Sequence, residues 1–333
     1  MEGMCGSGDL IRIEPDPNKL PPGYVYAFLA SRYGWACIRK LIFGGHIKHI
    51  EPKAVARIGV PRLGSNVEEE VHALVIEAAR LRSAANKKLT EVAAVFDRML
   101  ATINVIATSP RVSYVSCRML RKRMDAHFHE PIAMRIRDKI KSSAHTTVGD
   151  WCSDIHLPGI FKRIHIEDPQ YGAPYYTGAS LFWLEPIPKA ILSRKTSLFD
   201  QVVMERGTVL VQAFGQEGGL LGRAVWVGEH LCQATTTHML ARLKCITPDR
   251  AAYLFGFLQS EVAYRQIACL SYGGSIPHFD TDGIASVLMP TCERAIANSI
   301  VTDTLSAVES RDQALSLDRK ACRLVEETFE ESK

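Results

Sequence analysis

Residues Tyr24–Pro61, YVYAFLASRYGWACIRKLIFGGHIKHIEPKAVARIGVP, recur without a gap as Tyr253–Pro290, YLFGFLQSEVAYRQIACLSYGGSIPHFDTDGIASVLMP, at a constant offset of 229. Twelve of the 38 positions are identical: Tyr24, Phe28, Leu29, Ser31, Ile38, Leu41, Gly44, Gly45, Ile47, His49, Ala56 and Pro61 each meet their counterpart. Upstream, shifted by one residue to an offset of 230, Leu10-Ile11-Arg12-Ile13 faces Leu240-Ala241-Arg242-Leu243. An internal repeat of this size sets the architecture before any single element does. Tyr24, Phe28, Leu29 and Ile38 fall at helical spacing, and the paired glycines break a helix and permit positive φ. Each copy therefore reads as a helix, a Gly-Gly turn, a short strand, a short helix and a strand ending at proline. His49 and its counterpart His278 read as packed structural histidines.

A long helix follows each copy. Residues 66–107 contain neither glycine nor proline, and Val67, Val71, Leu74, Ala78, Leu81, Ala85, Leu89, Val92, Phe96, Met99 and Ile103 recur in steps of three and four. That is a coiled-coil seam with one stutter. Asn66 ahead of Glu68, Glu69 and Glu70 is a cap with acids on the first turn. The second helix, about 292–331, presents Ile296, Ile300, Leu305, Val308, Leu315, Cys322, Val325 and Phe329, with Asp312 and Arg319 interrupting. The two helices are expected to pair with each other, antiparallel, through Val67, Val71, Leu74, Leu81, Leu89, Val92 and Phe96 on one and Val308, Leu315 and Phe329 on the other.

Between the first helix and the second copy lies a further globular segment, about 110–240. Thr208–Val211 and Arg223–Val227 are strand-like, with turns at Glu217-Gly218-Gly219 and Gly228-Glu229. The fold class is thus α+β, with mixed α/β domains separated by two long helices. The boundaries fall at 1–63 for a partial first domain, 64–108 for the first helix, 109–291 for a full second domain, and 292–333 for the second helix.

The charge is unevenly spread. The chain of 333 residues carries 40 Lys and Arg against 36 Asp and Glu, a net +4. Segment 110–165 alone has eleven basic residues against five acidic ones, and five of the eleven histidines. A basic globular part joined to neutral or acidic helices suits a polyanion such as nucleic acid. No apolar run approaches the ~20 residues of a membrane-spanning helix. The nine cysteines form no CxxC pair, so neither a zinc ribbon nor a redox dithiol is signalled, and reduced thiols in a cytoplasm are the simplest reading.

This order of elements, with its local residues, resembles the specificity subunit of type I restriction–modification systems over nearly the whole chain. Arg123-Met124-Asp125-Ala126-His127-Phe128-His129-Glu130-Pro131 looks like the opening stretch of a target recognition domain in that family. Tyr171-Gly172-Ala173-Pro174-Tyr175-Tyr176-Thr177-Gly178 is similar to its Gly-x-Pro-Phe segment, and Gly207 through Gly222 to its strand followed by a glycine-rich turn. The Gly-Gly turn after a Tyr-x-x-x-Phe-Leu-x-Ser helix closes each recognition domain.

The resemblance implies a protein without chemistry of its own and with no cofactor. Two recognition domains each read half of a bipartite site in double-stranded DNA, and the paired helices set the spacing between halves. Modification methyltransferase subunits, which bring S-adenosylmethionine, and a restriction subunit would be its partners. Within this frame Lys162 and Arg163, the turn Gln216, Glu217, Gly218 and Gly219, and Thr235, Thr236 and Thr237 are the expected DNA contacts. The turn Gly273, Gly274, Ser275 and its counterpart Gly44, Gly45, His46 would let a phosphate come close. The departure from the family is the short first domain: nine residues precede Leu10, against about 125 between the first helix and Leu240. A second chain is therefore expected to complete it, covering Tyr24, Phe28, Leu29 and Ile38.

Competing chemistry is weaker. Asp168-Pro169-Gln170-Tyr171 is one residue from the DPPY motif of amino-methyltransferases, but Phe214-Gly215-Gln216-Glu217-Gly218 fails the spacing of their cofactor loop. Asp16, Glu51 and Lys53 imitate a PD-(D/E)xK nuclease, yet Glu51 and Lys53 become Asp280 and Asp282 in the second copy. Cys152 with His156, and His127 with His129, have no second pair at zinc-ligand spacing, so no metal is expected. A coiled-coil scaffold that binds protein rather than DNA is the alternative from another class.

Overall fold

The structure, a computed structural model, describes residues 9–100, 103, 112, 114–120 and 123–332. The helices are α1 (Pro22–Ala30), α2 (Arg32–Lys40), α3 (Pro52–Val55), α4 (Ser65–Met99), α5 (Cys117–Leu120), α6 (Pro131–Lys141), α7 (Val148–Trp151), α8 (Phe199–Val202), α9 (Pro248–Leu258), α10 (Glu261–Ala268), α11 (Thr281–Ala285) and α12 (Arg294–Glu331). Two compact units form: residues 1–84 with 310–333, and residues 85–309. The boundaries fall inside the long helices rather than at their ends, because each repeat copy packs on helical segments from both. Helix α4 ends at Met99, earlier than expected: Leu100 N donates to Asp97 O and Ile103 N to Leu100 O, in turns rather than helix; the rest of the expected continuation, 101–102 and 104–108, lies outside the described residues.

The repeat holds down to single hydrogen bonds. In each copy the expected single helix is two, broken at a serine. Ser31 Oγ donates to Phe28 O at 2.6 Å and caps α2 by accepting from Gly34 N. Ser260 Oγ likewise donates to Phe257 O at 2.6 Å and accepts from Ala263 N. A serine that takes one chain end and caps the next ends one helix and starts another. The turns match too: Phe43 bridges His49 and Tyr272 bridges His278, with Gly44 at φ 97° and Gly273 at φ 98°. A Cβ on Gly44 would also lie 2.4 Å from Ile47 O, so only glycine fits. Tyr24 Oη donates to Pro61 O and Tyr253 Oη to Pro290 O, at 2.7 and 2.9 Å.

In the smaller unit Tyr24, Ala27 and Phe28 of α1 are buried with Val71 of α4 and Ala321 and Val325 of α12. The expectation that Tyr24 and Phe28 await another chain is thus corrected: the long helices of this chain cover them. Arg82 reaches Asp318 at 2.5 Å and Lys320 faces Glu70, fixing an antiparallel pairing. At the helix start, Glu68 rather than Asn66 is the anchor. Its carboxylate, 1% exposed, accepts from Arg62 and from Leu63 N.

In the larger unit α4 contributes Ala85, Leu89, Val92 and Phe96, and α12 contributes Ile300, Ala307 and Val308, to one core. Lys88 Nζ donates to Ser306 Oγ at 2.6 Å. Gly256 of α9 sits against both helices; a Cβ there would lie 2.7 Å from Val92 Cγ1 and 3.0 Å from Thr304 Oγ1. The seam of α12 follows expectation in part: Ile300, Val308, Leu315 and Val325 are buried, while Ile296 is 42% exposed. Thr304, Ala307, Ala314, Asp318 and Ala321 are buried as well, so bulk was an incomplete guide to that face.

The strands are β1 (His145–Thr147), β2 (Asp154–His156), β3 (His165–Ile166), β4 (Gly172–Tyr176), β5 (Ala190–Ser193), β6 (Val209–Gln212), β7 (Ala224–Trp226), β8 (Thr235–Thr236), β9 (Leu240–Lys244) and β10 (Leu288–Pro290). One sheet has the order β2-β9-β6-β7, all antiparallel, with Arg242 of β9 opposite His156 and Leu210. The other has the order β3-β5-β4-β8, its β4–β8 pair parallel. Strand β10 exists because β1 pairs with it, Thr147 opposite Leu288. The matching residues 59–61 of the first copy have no such partner among the described residues and form no strand.

Candidate nucleic-acid interface

Lys162 and Arg163 precede β3, just after the buried Phe161. Arg163 Nε donates to Tyr175 Oη at 2.6 Å, and its guanidinium lies over the Phe161 and Tyr175 rings at 5.2 and 5.6 Å. A planar guanidinium held on aromatic faces has lost much of its rotamer freedom before any ligand arrives. Pairing of β3 with β5 brings Arg194 and Lys195 beside this stretch, with Ser193 N donating to Ile164 O at 2.8 Å. Among the described residues none of these four cations pairs with a carboxylate, although Glu167 and Asp168 line the same depression as Arg194 and Lys195.

A row of rings runs from there across the larger unit. His238 lies between Phe161 and Phe214, at 6.2 and 5.9 Å. Phe214 stacks on His278 at 4.9 Å, and His278 packs on Tyr272 at 4.5 Å. Arg123 lies 5.4 Å over Tyr272 and donates to Leu270 O and Ser271 O. This row joins two expected turns. Gly215 N donates to Pro277 O, Gln216 Nε2 to Ser275 O at 3.1 Å, and Gly218 N to Tyr264 Oη at 2.9 Å. The turn Gln216–Gly219 and the turn Gly273-Gly274-Ser275 are both exposed, side by side. Gly44-Gly45-His46 is equally exposed but belongs to the smaller unit.

Three expected contacts are corrected. Thr235, Thr236 and Thr237 are 0%, 0% and 4% exposed. Thr235 Oγ1 and Thr236 Oγ1 donate to Pro174 O and Tyr176 O, each at 3.0 Å. They tie β8 to β4, and β-branched threonines suit a buried strand. Sequence reasoning passed over Arg194, Lys195, Arg123 and His238. Arg123 stood in a quoted motif without a role; the others become neighbours only through strand pairing.

The residues weighed for competing chemistry take part in local structure as follows. Asp168 Oδ1 accepts from Gln170 N, so Asp168-Pro169-Gln170-Tyr171 is a capped turn. His127 Nε2 and His129 Nε2 meet the carbonyls of Ala268 and Arg123, at 2.8 and 2.7 Å. Cys152 Sγ lies 3.9 Å from Cys245 Sγ, while His156 pairs with Asp154. Glu51 and Lys53 sit at the start of the four-residue α3.

Burial holds His238 below the ordinary imidazole range, and the charges of Arg163 and Arg242 add to it. Burial also brings Arg242 down to about 10, which leaves it charged at neutral pH. Its guanidinium donates to Leu240 O at 2.8 Å and reaches Val202 O and Thr237 O. A base whose folded pKa is depressed adds stability that is full above its unfolded pKa, ~6.5, and is lost as pH falls through the folded value. Urea unfolding between pH 7.5 and 5 is therefore expected to show stability falling, and His238→Phe to flatten that fall. An unchanged slope in the variant would assign it to other groups.

No family model and no curated relative matches the chain. Among solved structures it is similar to the S subunit of a type I restriction–modification system from M. genitalium, at 14% identity and a TM-score of 0.36, over 94% of this chain and 74% of that one. It is similar to a chain from a structure of a type I R-M system at 15% identity and a TM-score of 0.34, over 93% and 71%. It is also similar to the HsdS subunit from Thermoanaerobacter tengcongensis at 13% identity and a TM-score of 0.32, over 92% and 70%.

Proposed function

We propose that the chain is a sequence-specific DNA-binding specificity subunit that directs a modification methyltransferase to its target. The larger unit docks on duplex DNA through Lys162, Arg163, Arg194 and Lys195. The exposed turns Gln216–Gly219 and Gly273-Gly274-Ser275 approach the duplex beside them, and Gly44-Gly45-His46 has the equivalent role in the smaller unit. The target is bipartite, the chain itself transfers and cleaves nothing, and S-adenosylmethionine is carried by the partner.

One observation carries the reading: four cations on neighbouring stretches form no ion pair with a described carboxylate, and two of them, Arg163 and Arg194, lie over aromatic rings. The test is the salt dependence of duplex binding by the intact chain. Four phosphate contacts predict that log K falls against log salt with a slope of about −3.6. A slope near zero, or no binding at low salt, would favour a scaffold that binds protein.

A further inference from the structure

Cys152 and Cys245 are 93 residues apart in sequence, so no short motif links them, yet their sulfurs lie 3.9 Å apart. The antiparallel pairing of β2 with β9 brings them together. Asp154 stands opposite Lys244, and one step further Ser153 N donates to Lys244 O at 2.7 Å. Cys152 leaves α7 in an extended conformation, φ −87° and ψ 150°, and Cys245 is the first residue beyond β9. Both are free cysteines, and neither is fully buried. The hydrogen bond between them holds the Cys245 thiol below the ordinary range, the charge of Arg250 adding to this against burial. The same bond raises Cys152, and burial raises it further. Cys245 is thus the readier nucleophile, and Cys152 the thiol that keeps its proton.

We propose that Cys152 and Cys245 form an oxidisable dithiol that closes into a disulfide on exposure to a hydroperoxide. The Cys245 thiolate attacks one oxygen of the peroxide. The O–O bond breaks, hydroxide leaves with its electron pair, and Cys245 becomes a sulfenic acid. The Cys152 sulfur then attacks the Cys245 sulfur and the S–O bond breaks. The departing hydroxyl takes the Cys152 proton and leaves as water, while the first hydroxide takes up the proton that Cys245 had lost. Two thiols are oxidised by two electrons, and hydrogen peroxide is reduced to two waters. The sulfurs have to close by about 2 Å to reach bonding distance. The bond fastens β2, the edge strand of its sheet, to the chain that leads into α9.

Treatment of the intact chain with hydrogen peroxide, then alkylation under denaturing conditions and peptide mapping, tests this. The expected map shows the Cys152 and Cys245 peptides joined, lighter by two hydrogens than their sum and separable by dithiothreitol. Cys152→Ser should leave Cys245 as a sulfenic acid that dimedone captures. Cys245→Ser should slow oxidation of Cys152 about tenfold or more, because the remaining thiol keeps its proton. Both cysteines still alkylated after peroxide, or either joined to a different cysteine, would overturn the proposal. So would Cys245 carried on to sulfinic acid without a link. Oxidation of Cys152 at an unchanged rate in the Cys245→Ser chain would overturn the assigned order of attack. The wild-type map decides on its own, so a variant that fails to fold does not shelter the proposal.

Discussion

Phe96→Ala is expected to destabilise the larger unit by about 3–5 kcal/mol, the range for truncating a fully buried aromatic. Phe96 is 0% exposed, and its ring meets Tyr253 and Phe257 edge-on, each at 5.4 Å. It therefore joins the first long helix to the helix of the second repeat copy. Chemical denaturation with a probe in the larger unit, such as Trp226 fluorescence, reads the change directly. A loss below about 1 kcal/mol would mean the site collapses around the cavity, against the packing described.

The second large effect concerns DNA. Replacing both Lys162 and Arg163 with alanine removes two of four proposed phosphate contacts, which should lower the salt slope by about 1.8 and the affinity by about fiftyfold near 0.1 M salt. Fluorescence anisotropy at several salt concentrations measures both. Arg163 also donates to Tyr175, so an Arg163→Lys variant separates charge from stacking: it should keep the slope while losing part of the affinity. Unchanged binding in the double variant would move the interface elsewhere.

Much of this was legible in the sequence because it was written twice. The offset between Tyr24–Pro61 and Tyr253–Pro290 announced a duplicated unit, and the turn geometry at Gly44 and Gly273 follows from glycines that both copies keep. The periodicity of α4 was equally plain, since Val71, Ala78, Ala85 and Val92 are all buried. What failed had physical causes. Beside the expected Ile300, Val308, Leu315 and Val325, the buried side of α12 uses alanine, threonine and a salt-bridged aspartate, which hydrophobic patterning discounts. Thr235–Thr237 looked like an exposed polar run, but a short strand inside a sheet buries threonines as readily as valines. Arg194 and Lys195 lie some thirty residues from Arg163 in sequence and meet it only through the β3–β5 pairing, which no local pattern encodes.

The most direct test of the central claim is selection of duplexes from a random pool by the intact chain at moderate salt. A specificity subunit should enrich a short recurring motif, because base contacts discriminate at about 1–3 kcal/mol per position while phosphate contacts do not. Enrichment of such a motif, weakened when the turn Gln216–Gly219 is altered, is the predicted result. A bound pool indistinguishable from the input would contradict sequence recognition.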